Sequence, residues 1–171
     1  VLRGIDAAVA AGFERIRLNA VVLDGLNRDE VLSLTQFAIE KRIHIAFIEE
    51  MPLGQVTVGG KALAYVSSET LLEELGNHYS LEPLVSDDIA GPSRDFRISG
   101  TETELGFISP HSHNFCSSCN RLRISAEGRL LMCLGNEESI DLRALLRSGD
   151  SDERIKSTII DSLVLKPERH V

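Results

Sequence analysis

The sequence predicts an α/β fold for the first part of the chain and an α+β fold for the rest. Up to residue 52, helix and strand patterns alternate with short connections, which is typical of parallel βα units. Beyond residue 52, strand patterns follow one another and indicate antiparallel pairing. Hydrophobic residues make up 43% of the 171 residues, which is enough for a buried core. We therefore divide the chain into segments 1–52 and 53–171.

The first segment contains two helix–strand units. LRGIDAAVAAG has helical spacing and ends at Gly12, and FERIRLNAVVLDG then runs into an apolar strand. Asn27 is predicted to cap the helix VLSLTQFAIEKR, and the strand IHIAFIEEM ends at Pro52. Glu49 and Glu50 are neighbours in that strand and should point to opposite faces. Two βα units cannot close a parallel sheet, so either further strands lie outside this sequence or these strands pair with something else.

The second segment begins with PLGQVTVGGKALAY, which indicates an irregular loop or hairpin. A short helix, SSETLLEELGNH, ends near Gly76, and the strands YSLEPLV, DFRISG and ELGFISP follow. Residues 87–93 are predicted to form an exposed loop. Two helices close the chain, SIDLRALLRSG and SDERIKSTIIDSLVL, with Ser139 and Ser151 as predicted N-caps.

The charge balance limits the partners of this chain. Its 18 Lys and Arg residues against 26 Asp and Glu residues give a formal net charge of -8. Such a surface repels a phosphate backbone, so we expect no general nucleic-acid binding, although a local basic site for a small anion is compatible with it. No apolar run approaches the roughly 18 residues that cross a bilayer, and no secretion signal is recognisable. An odd number of cysteines suits a cytoplasmic location better than a secreted one.

All three cysteines lie within FCSSCNRLRISAEGRLLMC, residues 115–133. Cys116 and Cys119 form a Cys-x2-Cys pair, which directs two sulfurs at one point and suits a metal ion or an iron–sulfur cluster. The residues that follow predict a hairpin with a turn at 126–128, which would bring Cys133 back beside the pair. Three interpretations stay open: a cluster with one open iron, a zinc site completed by His111 or His113, and buried cysteines without a metal.

Arg121 and Arg123 follow the second cysteine, two positions apart. On a strand, such residues point to the same face. Guanidinium groups offer paired donors to a phosphate or to the edge of a base. Next to an incomplete thiolate site, these residues favour a substrate-binding role over that of solvated surface charges.

The same stretch resembles the cluster motif of the GTP 3′,8-cyclase family, radical S-adenosylmethionine enzymes of molybdenum cofactor biosynthesis. The family pattern is F-C-x2-C-x-R-x-R, a turn with Gly, and a third cysteine after thirteen residues. RIRLNAVVLDGLN and FIEEMPLG also resemble family segments, so the resemblance covers residues 1–146. It implies a C-terminal part of such an enzyme: the last βα units of an incomplete (βα)6 radical-SAM barrel, followed by an α+β extension that binds a second [4Fe-4S] cluster.

The resemblance also implies ligands and a reaction. Cys116, Cys119 and Cys133 would hold the second cluster, and the guanine of GTP would bind its open iron. In a complete member of the family, a 5′-deoxyadenosyl radical abstracts a hydrogen atom from the GTP ribose. The ribose radical then attacks C8 of guanine, giving (8S)-3′,8-cyclo-7,8-dihydroguanosine 5′-triphosphate, so the enzyme is a lyase.

Further site residues follow from the same resemblance. Arg121, Arg123 and the backbone of Leu122 correspond to GTP contacts, and Arg17 stands where the family has a GTP-binding lysine. Met51 corresponds to a methionine beside S-adenosylmethionine.

The chain also departs from the family pattern. It lacks the Cys-x3-Cys-x2-Cys motif of the radical-generating cluster, Ala46 replaces a usual arginine, and the ending KPERHV lacks the Gly-Gly tail. We therefore expect this sequence by itself to be inactive, with S-adenosylmethionine bound mainly by residues that it does not contain. Two other functions stay open, a zinc-stabilised binding module without catalysis and an auxiliary domain of another radical enzyme. A strand near residues 15–23 with an unpaired edge would promote self-association, and we expect a homodimer.

Overall fold

The computed structural model describes residues 1–51, 57–58, 61–85, 91–133 and 138–167. The chain divides into two compact units, unit 1 (Val1–Phe115) and unit 2 (Cys116–Val171). Pro52, residues 87–90 of the loop predicted at 87–93, and the last four residues lie outside the described residues, and Ser93 is the first residue of a strand rather than part of that loop. The division at residue 52 drawn from the sequence stays a prediction about family segments, whereas the compact units meet between Phe115 and Cys116.

Unit 1 is a mixed α/β structure that agrees with the helices and strands predicted from the sequence. A single turn of 3-10 helix, Arg28–Glu30, precedes its second helix. Its other elements are α1 (Leu2–Ala10), β1 (Arg17–Asp24), α2 (Val31–Lys41), β2 (His44–Glu49), β3 (Thr57–Val58), β4 (Lys61–Ala62), β5 (Ala64–Tyr65), α3 (Ser68–Gly76), β6 (Leu81–Pro83), β7 (Ser93–Ile98) and β8 (Glu104–Ile108).

The main sheet of unit 1 has the strand order β5-β1-β2-β8-β7-β6. β1, β2 and β8 are parallel, and β7 and β6 continue the sheet in antiparallel orientation. The sheet is curled like half of a barrel. The strands of the two βα units therefore pair with later strands of the same chain, which was one of the two alternatives left open by the sequence. β3 and β4 form a separate small hairpin.

The two faces of this sheet differ in polarity. One face packs under α2 and α3 and forms the main apolar core. Phe107 lies at the centre of this core, with ring centroids 6.3 Å from Phe47 and 5.8 Å from Phe96. Because side chains alternate along a strand, the neighbouring residues lie on the opposite face, which carries Arg17, His44 and Asp95. That face is the polar side of the sheet.

Two turn residues fix the ends of β1 and α3. The side chain of Asn27 makes no cap hydrogen bond to the helical turn that follows. It instead accepts a hydrogen bond from the Leu23 amide and donates one to the Val21 carbonyl, both at 2.9 Å, and so closes the loop after β1. The predicted N-cap role of Asn27 was therefore wrong. Ser67 caps α3 by accepting from the Thr70 amide at 3.1 Å.

In its described residues, unit 2 has a small three-stranded sheet and two α-helices. Its elements are β9 (Arg123–Ile124), β10 (Arg129–Leu131), β11 (Ser139–Asp141), α4 (Leu142–Ser148) and α5 (Asp152–Ser162), in the sheet order β11-β10-β9. Among its described residues, the buried apolar side chains are Leu130, Met132 and Leu142, with Ile140, Leu145 and Ile159 packed against them. This core joins β10 to both helices.

The helix starts in unit 2 correct one prediction and confirm another. Ser139 is the first residue of β11, and Asp141 caps α4 by accepting from the Ala144 amide at 2.8 Å. Ser139 was therefore wrong as the N-cap of this helix. Ser151 caps α5 as predicted. None of the helices in the described parts of the chain has the length and apolar composition needed to cross a membrane.

Candidate functional site

The cysteine stretch folds as a hairpin in unit 2, as the sequence predicts. Arg123 of β9 pairs with Leu131 of β10 in an antiparallel ladder. The turn between the strands is closed by the Gly128 amide, which donates to the Ser125 carbonyl at 2.9 Å. Gly128 has φ +78°, and a Cβ there would lie 2.8 Å from Cβ of Arg143. Only glycine fits this turn without strain.

The three cysteines lie at the open end of this hairpin. Cys116 begins a short 3-10 turn, and the Cys119 amide donates to the Cys116 carbonyl at 3.1 Å. Cys133 follows two residues after the end of β10. All three thiols are half-buried and none forms a disulfide. Their donor chemistry fits an iron–sulfur cluster or a zinc ion.

The ammonium group of Lys166 connects the two cysteine-bearing segments. Its Nζ donates to the carbonyl oxygens of Arg121 and Met132, each at 2.9 Å, and lies 3.8 Å from Sγ of Cys119. Across the described ranges, however, no three or more side chains of His, Cys, Asp or Glu are grouped closely enough to hold a metal ion. The cysteine ligand set therefore stays a prediction.

The two arginines of the motif are exposed, as is Leu122, whose side chain is 37% exposed. Arg123 lies in β9, whereas Arg121 precedes the strand. The pairing of β9 with β10 therefore fixes the side-chain direction of Arg123 but not that of Arg121. Arg121 is held instead through its backbone carbonyl, which accepts from Lys166. Exposure leaves both guanidinium groups accessible to an anionic ligand, which is the role predicted for them.

Arg17 is in unit 1, on the polar face of the main sheet. Its Nη2 donates to Oδ1 of Asp95 and to Oγ of Ser93, both at 2.6 Å. The side chain passes so close to Gly106 that a Cβ at that position would lie 1.5 Å from Nη2 of Arg17. The cation predicted to contact GTP is thus already paired with a carboxylate of its own chain.

Beside this pair, the same face carries a second charged group centred on Glu104. Its carboxylate lies 2.7 Å from Arg15 and 3.8 Å from both Arg97 and Nδ1 of His44. Nδ1 of His44 also accepts a hydrogen bond from the Glu104 amide at 3.1 Å. Burial lowers the pKa of His44, and the nearby Glu104 charge opposes this effect. Ala46, where the sequence resemblance led us to expect an arginine, is fully buried in β2.

Glu49 is a buried carboxylate that the sequence analysis did not assign to the site. It is 2% exposed, and its two oxygens accept four hydrogen bonds. Oε1 accepts from the Ser68 amide at 2.7 Å and from Oγ of Ser112 at 2.5 Å. Oε2 accepts from the amides of His111 and Ser112, both at 3.0 Å.

These hydrogen bonds decide the ionisation of Glu49. Burial raises the pKa of this carboxyl, but the hydrogen bonds from Ser112 and Ser68 outweigh burial and hold the pKa below its ordinary value. The ionised Glu49 thereby ties the end of β2 to the start of α3 and to the segment at residues 111–112. The signal in the sequence was an acid two positions from Phe47, on the apolar face of a buried strand.

The remaining predicted residues lie around the end of β2. Met51 is half-buried, two residues beyond the strand. The ring of His111 stacks near that of Tyr65, with centroids 4.8 Å apart, and His113 is exposed. In the described residues, neither histidine belongs to a group that could hold a metal ion, so the zinc alternative gains no support.

Known proteins resemble this chain over nearly its whole length. A GTP 3′,8-cyclase of Marinobacter nauticus is 50% identical over 171 residues, which is 99% of this chain and 52% of the relative. The GTP 3′,8-cyclases of Ectopseudomonas mendocina and Saccharophagus degradans are 51% and 46% identical over 99% of this chain, and each is covered to 51% of its own length. The chain thus spans about half the length of the curated relatives it matches.

These relatives confirm the resemblance inferred from the cysteine motif and from the segments around β1 and β2. The family model described as Molybdenum Cofactor Synthesis C matches residues 43–171, which include Arg121, Arg123 and all three cysteines of the motif but not Arg17. The match and the identities together establish the family. The chain belongs to the Molybdenum Cofactor Synthesis C family.

Proposed function

We propose that this chain is the C-terminal part of a GTP 3′,8-cyclase and that it binds GTP at a second [4Fe-4S] cluster. The cyclase converts GTP to its 3′,8-cyclised form in the first step of molybdenum cofactor biosynthesis. By itself the chain has no cysteines for a radical-generating cluster and is inactive. β1 and β2, in the predicted segment 1–52, are the last strands of a (βα)6 barrel, and Met51 would contact S-adenosylmethionine in the complete barrel.

The cluster is held by Cys116, Cys119 and Cys133. When bound, such a cluster offers an open iron that accepts a nitrogen or oxygen atom of the guanine base. The hairpin of unit 2 supports this assignment because both cysteine-bearing segments end on the same side of it and contact one ammonium group. This is the observation that carries the proposal.

The nucleotide is held by arginines. Arg121 and Arg123 are exposed next to the cysteine turn and donate to GTP, with the backbone of Leu122 between them. Arg17 supplies a further cation from the polar face of the main sheet. Its present partner Asp95 competes with an anionic ligand, so GTP must displace or share this pair.

Iron binding tests the cluster directly. Reconstituted without oxygen, the chain should bind about four irons and show the absorbance of a four-iron cluster. Cys119→Ser should abolish most of this binding, because a serine hydroxyl is a poor ligand for iron at neutral pH. Stoichiometric zinc without retained iron would instead establish the binding module.

GTP binding tests the arginines in a full-length enzyme that contains this chain. Arg121→Ala or Arg123→Ala should weaken binding about ten-fold, since each removes a charge-assisted hydrogen bond. Iron content should not change. Arg147→Ala is the matched control and should leave GTP binding unchanged, because Arg147 is exposed at the end of α4. Arg129 is closer in sequence but is less suitable as a control, because its side chain donates to Ser139 of β11. Normal GTP affinity in both variants would make these residues solvated surface charges.

We also propose that the chain forms homodimers through β1. In the described residues, the outer edge of this strand pairs with β5 only at Leu23 and Asp24. A groove of about 430 Å³ beside it is lined largely by apolar residues of α1, α2 and β1. Sedimentation equilibrium should detect the dimer, and Val21→Lys should shift it toward monomer. A chain that stays monomeric at high concentration would refute this contact.

A further inference from the structure

Lys166 ends the C-terminal helical segment of unit 2 and contacts the open end of the cysteine hairpin. The ladder between β9 and β10 pairs Ile124 with Leu130 and Arg123 with Leu131, and it stops there. If the register continued, Leu122 would stand opposite Met132. Instead, the carbonyls of Arg121 and Met132 both accept from one Lys166 ammonium, each at 2.9 Å. The ammonium group thus joins the two strands where their own hydrogen bonds end.

The three protons of this ammonium group have three acceptors. Besides the two carbonyls, Sγ of Cys119 lies 3.8 Å from Nζ. An ammonium group has three donors and no acceptor, so this arrangement satisfies it completely. The side chain of Lys166 is half-buried rather than extended into solvent, as unpaired lysines usually are.

The backbone that carries Lys166 is anchored to the same hairpin. Ser162, at the end of α5, is 3% exposed, and its Oγ lies 4.0 Å from Sδ of the fully buried Met132. The Lys166 amide then donates to the Leu163 carbonyl at 3.1 Å, which closes the last helical turn. The backbone of Lys166 is therefore held beside the hairpin, which keeps its side chain within reach of both carbonyls.

We propose that Lys166 is a positioning residue that clamps the open end of the hairpin. It holds the segments of Cys119 and Cys133 at a fixed spacing and fixes the carbonyl that precedes Leu122. Through these contacts it positions both the cluster ligands and the arginines that bind the nucleotide. The effect of Lys166 on the cluster ligands and on nucleotide binding rests on the proposed function. The contacts of Lys166 with the hairpin do not, because they form in the protein without a cluster.

Hydrogen exchange of the chain without iron tests the clamp. In Lys166→Met, amides at residues 119–123 and 131–133 should exchange about ten-fold faster than in the unmodified chain, which corresponds to about 1.4 kcal/mol. Peptides from β1 and β2 should not change. Lys156→Met is the matched control, because Lys156 is exposed on α5, and it should exchange like the unmodified chain.

After anaerobic reconstitution, a chelator should remove iron about ten-fold faster from Lys166→Met. Lys166→Arg keeps the charge and donors in a planar fork, so it should recover part of the difference in both measurements. If Lys166→Met loses its helices, Lys166→Gln replaces it in both measurements, because glutamine keeps one N–H donor group. If the amides of Lys166→Met exchange as slowly as those of the unmodified chain, the clamp is refuted. It is also refuted if Lys166→Arg shows the same amide exchange and iron loss as a folded Lys166→Met variant. An unmodified chain that takes up no iron would refute the proposed function, and the exchange result would still decide the clamp.

Discussion

The two units of this chain are stabilised differently. Unit 1 has a six-stranded sheet and a continuous apolar core centred on Phe47 and Phe107. Unit 2, roughly a third of the chain, has a three-stranded sheet and, in its described residues, three buried apolar side chains. Small domains bury too little apolar surface to be very stable without a metal, a disulfide or a partner.

The comparison indicates where the candidate function is concentrated. In unit 1, polar groups such as Glu49 and Arg17 lie beside a continuous apolar core. In unit 2, the segment with the cysteines is held by a turn glycine, a lysine and a short ladder. We expect unit 2 to gain more stability from a bound cluster than unit 1 gains from any ligand, because binding free energy adds to folding free energy.

The largest effect is expected for Glu49→Gln, which tests whether unit 1 depends on more than its apolar core. Glutamine can accept hydrogen bonds on only one atom, so two of the four donors around Glu49 would face an NH₂ group. We expect a loss of about 3 kcal/mol in the free energy of unfolding. Both tyrosines, Tyr65 and Tyr79, lie in unit 1 and there is no tryptophan, so tyrosine fluorescence in urea reports on this unit.

The pH dependence of the same variant gives a second measurement. The pKa of Glu49 is lower in the folded protein than its ordinary value of 4.5, so its contribution is complete above that pH and is lost as pH falls. The difference between the unmodified chain and Glu49→Gln should therefore shrink in acid. Glu50→Gln is the control and should change stability by less than about 0.5 kcal/mol. Equal effects at both positions would remove the special role of Glu49.

A smaller effect, about 2 kcal/mol, is expected for Gly106→Ala. The added Cβ would lie 1.5 Å from Nη2 of Arg17 and 2.5 Å from Oγ of Ser93, so the polar face must rearrange. Gly76→Ala is matched to it, because a Cβ on this exposed helical residue meets nothing within 4 Å. In Gly106→Ala, the unfolding transition followed by tyrosine fluorescence should move to lower urea concentration. In Gly76→Ala, it should not move to lower urea concentration. No shift in either would mean that Arg17 has room to move.

The smallest loss of stability is expected when the N-cap of one helix in each unit is removed. Ser67→Ala removes the cap of α3 in unit 1, and Ser151→Ala removes the cap of α5 in unit 2. Each should cost about 1 kcal/mol. Tyrosine fluorescence should detect only Ser67→Ala, and hydrogen exchange of α5 should detect only Ser151→Ala. A tyrosine transition that shifts equally in both variants would mean that the units unfold together.

The elements of this fold were more predictable than their pairing. The strand patterns at residues 79–85, 95–100 and 104–110 were expected to be antiparallel to one another, and the observed strands β6, β7 and β8 are. The parallel pairing of β8 with β2 was not predicted, because a strand pattern shows which face is buried but not which strand lies beside it. At α4, Asp141 is adjacent to the helix start and caps it, so Ser139 was left to pair with Leu131 in β11.

The candidate site was predictable where its chemistry is local. Cysteine spacing, the Gly128 turn and the arginines can be recognised in one short stretch. Lys166 and Glu49 were missed because their partners are distant in sequence and are mainly backbone atoms. Lys166 binds carbonyls 34 and 45 positions away, and Glu49 binds an amide 63 positions away. Every residue has such backbone groups, so no side-chain pattern marks them.

The Arg17–Asp95 pair also affects how salt should act on nucleotide binding. Exposed cations are shielded by dissolved ions, whereas a half-buried cation already paired with a carboxylate gains little from losing its counterions. Arg17 is such a cation, while Arg121 and Arg123 are exposed. Under the proposed function, raising ionic strength should therefore weaken GTP binding mainly through the two arginines of the hairpin. The Arg17 contribution should instead follow the competition between Asp95 and the nucleotide, which salt barely alters.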